Sequence, residues 1–276
     1  MIASSSINLT TGKHLPEFSC SQSDADTAMF TVYSVLRSEA YTGAVVLDTE
    51  DTDNYVQAAY VARQITGLLC LKRKHQLINA QCLCNEEMTE SIIPLHVLTG
   101  CDHNSGFYGT SKKVIAGRVQ TSKVARDLLS SCGRELPAKQ ELIDDLELFV
   151  IRYIYCDVKN NTLAGVRAAK WRALKKRSTM RLASDSDSLR HHIERANYLA
   201  YLKKNFNLDI HPSPVGHEWN LVNGLCMPLR SSQLSLPSSM SLAATSHVEE
   251  GSNSSSDDSS ASDDSESCDS SSDSED

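Results

Sequence analysis

Nowhere in the 276-residue chain does an apolar stretch approach the ~18 residues that cross a bilayer. Its start, MIASSSINLTTGK, also lacks a charged segment followed by an apolar run. Both absences predict a soluble, intracellular protein with no membrane partner. The nine cysteines are odd in number and irregularly spaced, unlike a disulfide framework, so reduced thiols are expected. There is no internal repeat, and no Gly-Lys-Ser/Thr follows a strand as a Walker A loop requires. The last absence is local. Residues 249–276 contain no Lys or Arg, but 11 Asp/Glu and 13 Ser. Such a composition buries too little apolar surface to offset chain entropy, and disorder is expected there. Removing those 11 acids from the total of 35 leaves 24 against 27 Lys and Arg, so residues 1–248 carry +3 although the whole chain carries −8. The body is mildly basic and the tail strongly acidic.

What remains reads as α/β and then helical. A polar lead-in occupies 1–20. Within 23–41, Ala28, Val32, Val35 and Leu36 recur at helical spacing, with Ser23 or Asp24 as N-cap. AVVLDT (44–49) predicts a short, fully buried strand, and 51–64 a helix with an acidic start. GLLCLKR (67–73) predicts the next strand, and 75–83 a hairpin partner or a further strand. This alternation argues for an α/β layer over 21–120 with a parallel sheet and flanking helices. Residues 121–229 form a mainly helical region, with helices over 139–155, 164–177 and 187–206. The 139–155 helix sets Leu142, Leu146, Phe149, Val150 and Tyr153 on one face. Residues 211–229 are turn-rich and end in a small hairpin, and 230–276 form the disordered acidic tail.

Five aspartates stand at mutually consistent places. Asp24 and Asp26 open the first helix, Asp51 and Asp53 follow the first strand, and Asp102 ends the apolar run PLHVLTGCD. In a parallel α/β layer, ligands gather outside the carboxyl ends of the strands. Crowded carboxylates repel unless protonated or neutralised, and clustered hard oxygens suit Mg²⁺ or Mn²⁺. Each pair taken alone also fits an N-cap and a favourable helix dipole. Behind Asp102 comes GFYGTSKK, where Gly109, Ser111, Lys112 and Lys113 suit a backbone-phosphate grip at a helix N-terminus. The simpler alternative is a helix–turn–helix linkage with glycines at positive φ.

Taken in order, these motifs resemble the flap-endonuclease/XPG-type branch of the PIN nuclease superfamily. The acid-Ala-acid motif is matched by DAD (Asp24, Asp26), and the Thr-Glu-Asp-x-Asp strand end by TEDTD (Asp51, Asp53). Leu-x-Gly-x-Asp is matched by LTGCD (Asp102), and the Gly-x-Gly-x-Lys turn by GTSKK. The match looks closest to mobile-element-derived animal proteins with a TGCD…FYG..K signature, and LRHHIERANYLAYL and GHEW extend it to about residue 229. The resemblance implies a divalent-metal-dependent, structure-specific DNA nuclease fold, two ions held by the five aspartates, and duplex backbone gripped at the Gly109 turn. It also implies departures. Family members begin with a strand carrying another metal-binding Asp, whereas residues 1–22 hold only Glu17, so the chain starts midway through the catalytic domain and leaves a sheet edge uncovered. Ser111 replaces the second turn glycine, and Asp replaces the usual Glu of the first motif.

Two other functions compete with catalysis. RAAKWRALKKRSTMR (167–181) places Lys170, Arg172, Lys175, Lys176 and Arg177 around Trp171. This run suits a non-catalytic nucleic-acid-binding or scaffold protein, a nuclear import signal, or a solvated helix face. A zinc-stabilised module would use Cys82, Cys84, Cys101 and His103. The remaining histidines, His191 and His192 among them, read as ordinary surface or core residues. In the tail, Ser254 precedes Asp257 and Ser260 precedes Asp263 by three, a spacing that acidophilic kinases modify.

Overall fold

A computed structural model describes residues 25–174, 182–208 and 210–231. The polar lead-in, Asp24, Lys175, Lys176, Arg177 and the acidic tail with its serines lie outside the described residues.

Helix α1 (Ala25–Ser38) has Asp26 in its first turn and Arg37 in its last, the polarity its dipole favours. Its buried side is Thr27, Ala28, Phe30 and Tyr33. The expected seam through Val32 is displaced, since Val32 is 37% exposed. The aromatic rings decide the rotation, because they bury the most apolar area. Phe30 meets Phe206 edge-on at 6.3 Å, and the Thr31 hydroxyl donates to the Phe206 carbonyl at 2.8 Å.

Strand β1 (Val45–Asp48), helix α2 (Thr52–Gln64) and strand β2 (Leu69–Arg73) form a βαβ unit. Val45 pairs with Leu69 and Asp48 with Lys72, in parallel. Strand β3 (Gln76–Asn79) returns antiparallel to β2, as the hairpin expectation for 75–83 required. Among the described residues the order β1-β2-β3 makes β1 an edge, so the expectation of a fully buried strand fails. Leu47 is buried, whereas Val46 is 45% exposed. Only one face of the pleat meets the core. The sheet is small and mixed, with one parallel and one antiparallel pair.

The chain is helical thereafter: α3 (Thr89–Leu98), α4 (Lys112–Thr121), α5 (Lys123–Ser130), α6 (Gln140–Phe149), α7 (Leu163–Ala173) and α8 (Ser186–Lys204). A π-helical turn, Val150–Ile154, continues α6. Leu142, Leu146, Phe149 and Val150 are buried as the spacing predicts. Helix α3 is buried nearly all round, including Pro94 and His96, which a solvent-facing amphipathic helix would not be. A single apolar cluster runs from Phe30 to Phe206 and crosses position 120 without a break, through Val119 and Ala125. Among the described residues no helix is long and apolar enough to cross a membrane.

Strands β4 (Trp219–Val222) and β5 (Leu225–Pro228) make the expected hairpin. Asn223 and Gly224 both have positive φ, +52° and +79°, the Asn-Gly turn whose twist matches a two-residue hairpin.

Candidate functional site

The ends of five helices meet around one carboxylate. Strand β1 runs into Thr49, whose hydroxyl accepts from the Asp51 amide at 3.1 Å and from Asn54 Nδ2 at 2.9 Å. That hydroxyl fixes the bend into α2. Asp51 is then the N-cap, its Oδ1 accepting from the Asp53 amide at 2.9 Å. Asp53 lies in the first turn, and its side chain is only 13% exposed. Asn54, fully buried, donates through Nδ2 to Asp26 Oδ1 at 3.0 Å, joining the starts of α1 and α2. Its own carbonyl oxygen is buried without a hydrogen-bond partner.

Asp53 is held from two sides. His96 Nε2, on α3, lies 2.7 Å from Oδ1, and Lys203 Nζ, in the last turn of α8, lies 3.3 Å from Oδ2. Both partners are buried. On the far side of the imidazole, Lys112 Nζ approaches His96 Nδ1 at 3.4 Å. An ammonium has only donors, so Nδ1 accepts and Nε2 carries the proton donated to Asp53. The His96 hydrogen bond, with the Lys203 ammonium beside it, holds the Asp53 carboxyl well below the usual carboxylate range despite partial burial.

The glycine turn closes the site. Gly100 has φ +116°, and a Cβ there would stand 2.8 Å from the Gly106 Cα, so the two glycines pack backbone on backbone. Cys101 and Asn104 exchange backbone hydrogen bonds across the turn, and Asn104 Nδ2 anchors it to the Val97 carbonyl at 3.0 Å. Burial raises the Cys101 thiol pKa, and the charge of Asp53 adds to that rise. The turn therefore lies within electrostatic reach of the Asp53 centre. Asp102 itself is exposed. Gly109 has φ +80° with open space where a Cβ would go. Ser111 has φ −79° and N-caps α4, its Oγ accepting from the Val114 amide at 3.3 Å. Ser111 therefore sits without backbone strain and supplies a cap.

Asp26, Asp51 and Asp53 are drawn to neighbouring helix starts, and Asp102 to the turn beside them. Among the described residues, however, the group of three or more His, Cys, Asp or Glu whose ligand atoms lie within 4.8 Å of one another is His191, Glu194 and Glu218. The described aspartates do not form such a group, nor do Cys82, Cys84, Cys101 and His103, of which Cys82 and His103 are exposed. Within the basic run, Lys170 lies 5.1 Å from the Tyr155 ring centroid, so its charge is directed over an aromatic face. Arg172 is exposed and donates to the Ala168 carbonyl at 3.2 Å.

The sequence reading passed over His96, Asn54 and Lys203. His96 had a signal: a titratable ring inside an apolar run needs a buried partner. Lys203, in LKKNF, had none. The reading of His191 as ordinary is corrected. His191 and Glu194 are one helical turn apart on α8, and Glu218 reaches them from the segment before β4, bonding through Oε2 to His191 Nδ1. Burial and the neighbouring Glu218 push the Glu194 carboxyl up to about 7. Glu218 moves the other way: burial would raise it, but hydrogen bonds with Glu194 and His191 outweigh burial and lower it. His192, by contrast, is a core residue, its Nε2 on the Leu98 carbonyl at 2.7 Å.

Compared with known protein families, with curated proteins and with solved structures, the chain matches none.

Proposed function

We propose that the chain is a nucleic-acid-binding protein with a flap-nuclease-type centre, in which a lysine and an imidazole hold the central aspartate where nucleases of the resembled branch hold metal ions. The observation that carries this reading is the chain of contacts Lys112–His96–Asp53–Lys203. It sets one negative charge between two ammonium groups and links that charge to the N-terminus of α4. There Ser111, Lys112 and Lys113 are exposed, and the free amides and dipole of a 10-residue helix favour phosphate. Contacts of this kind position a backbone without reading bases.

The test is fluorescence anisotropy of the full chain with labelled flap and single-stranded DNA over a range of salt. Affinity falls with salt, and Lys113→Ala weakens both substrates alike while lowering the log–log salt slope by about 1. Binding indifferent to salt and to Lys113→Ala removes the proposal.

A second reading, a Mg²⁺- or Mn²⁺-dependent phosphodiesterase, is favoured by the exposed carboxylates of Asp51 and Asp102 and the unpartnered Asn54 carbonyl at the same edge. As they stand, these donors fit a pair of ions poorly, because both Asp53 oxygens and Asp51 Oδ1 are committed to protein donors. When bound, such ions stabilise the attacking and leaving oxygens of a phosphodiester. Cleavage of flap DNA in Mn²⁺, lost when Asp51→Asn and Asp53→Asn are combined, is the outcome this reading requires. No cleavage in either metal eliminates it.

A further inference from the structure

Away from the Asp53 centre, His191, Glu194 and Glu218 converge where α8 meets the C-terminal hairpin. Their side chains are 15%, 18% and 12% exposed, and one ligand atom from each lies within 4.8 Å of the others. A tetrahedral ion with bonds of 2.0–2.2 Å separates its ligands by about 3.4 Å, so small side-chain rotations close the set. Two carboxylates and one imidazole make a mixed N/O donor set suited to a first-row divalent cation.

A second, independent feature is the support behind the histidine. His191 Nε2 faces Asp187 Oδ2 at 3.7 Å, and Asp187 Oδ2 accepts from Ser231 Oγ at 2.6 Å. A carboxylate behind one ring nitrogen keeps the proton there and leaves the other lone pair for a metal. Here the metal-binding nitrogen is Nδ1, which shares a proton with Glu218 Oε2 in the metal-free protein and releases it when an ion takes that place, as ligand deprotonation requires. The neighbouring cations compensate incompletely. Arg190 stands 3.7 Å from Glu194, and Arg195 Nη1 is spent on the Leu229 carbonyl at 3.0 Å.

We propose that His191, Glu194 and Glu218 form a site for one divalent transition-metal ion, Zn²⁺ by its donor chemistry, that clamps the hairpin onto α8. The ion replaces the direct His191–Glu218 contact and bridges Nδ1 to the two carboxylates, with solvent as the fourth ligand. The hairpin would gain from such a clamp. Its strands are exposed apart from Trp219, which packs against the core, and the Leu229 carbonyl and Ser231 hydroxyl hydrogen-bond to α8.

The test uses full-length protein stripped with a chelator. Isothermal titration with Zn²⁺ is expected to give one site per chain, weakened at least 10-fold by Glu218→Gln and by Glu194→Gln. Asp145→Asn, at an exposed position on α6, leaves that affinity unchanged. Zn²⁺ also protects the 211–231 segment from limited proteolysis. Far-UV circular dichroism establishes that each variant is folded, and Glu194, on a regular helix, supplies the variant least able to disturb the backbone. Co²⁺ in place of Zn²⁺ gives visible d–d bands without thiolate charge transfer. Three results overturn the proposal: no stoichiometric Zn²⁺ uptake, uptake indifferent to both glutamate variants, or a thiolate band assigning the metal to cysteine.

Discussion

The centre at Asp53 and the cluster at His191 are both acidic, and they solve like-charge crowding in opposite ways. At Asp53, His96 and Lys203 each take one oxygen of a single carboxylate. At His191, two glutamates lean on each other and on one imidazole, and the strain appears as a Glu194 carboxyl raised to about 7. The first arrangement is electrostatically complete. The second gains most from a cation. The aspartate motifs mark the complete site, whereas the metal-like donor set lies in LRHHIERANYLAYL and GHEW, where residue spacing alone shows no ligand pattern. An aspartate in a familiar pattern is therefore weaker evidence for a bound ion than the balance of charges its neighbours create.

The largest expected effect comes from breaking the complete site. Asp53→Asn strands two buried cationic or polar partners, and removing one member of a buried pair destabilises by about 3–5 kcal/mol. Urea denaturation of the metal-free protein measures it. A loss under about 1 kcal/mol means that Lys203 and His96 have found other partners, and the contrast between the two clusters dissolves.

The pH dependence of the two sites has opposite signs in metal-free protein. The Asp53 carboxyl is depressed in the fold, so its stabilisation is fully present above the ordinary carboxylate range and is lost as pH falls below it. Glu194 is raised from 4.5 to about 7, so its contribution is fully present below pH 4.5 and is lost as pH rises through 7. Stability measured from pH 4.5 to 8 should therefore decline on the Glu194 account, and Glu194→Gln should flatten that decline. An unchanged slope in the variant counts against the paired-carboxyl geometry.

The smallest effects sharpen the roles of the remaining motif acids. Asp51→Ala removes an N-cap and costs about 1 kcal/mol. Asp102→Ala, at an exposed turn position, stays within about 0.5 kcal/mol. If thermal melts give Asp102→Ala the larger loss, Asp102 makes a buried contact that its exposure does not suggest.

Much of the fold was legible because local patterns and tertiary needs agreed. The 44–49 and 67–73 runs are strands, the acidic start of 51–64 caps a helix, and the 139–155 face buries Leu142, Leu146 and Phe149. The rotation of α1 was not legible. Val32 and Phe30 are both apolar, and only Phe206, 176 positions along the chain from Phe30, selects which of them is covered. Strand β1 misled for a similar reason. A continuous apolar run fits a strand buried on both faces, but burial depends on which neighbours arrive.

By itself the sequence determined the placement of Asp26, Asp51 and Asp53 at helix starts, the Asn-Gly hairpin turn and the glycine closure after α3. Short-range sterics and capping settle these within a few residues. Tertiary structure alone decided the charge state of the sites. His96 and Lys203 reach Asp53 from two separate helices, Lys112 reaches His96 from a third, and Glu218 reaches His191 across 27 positions. Electrostatic energy depends on distance in space and on burial, neither of which is written in the order of residues.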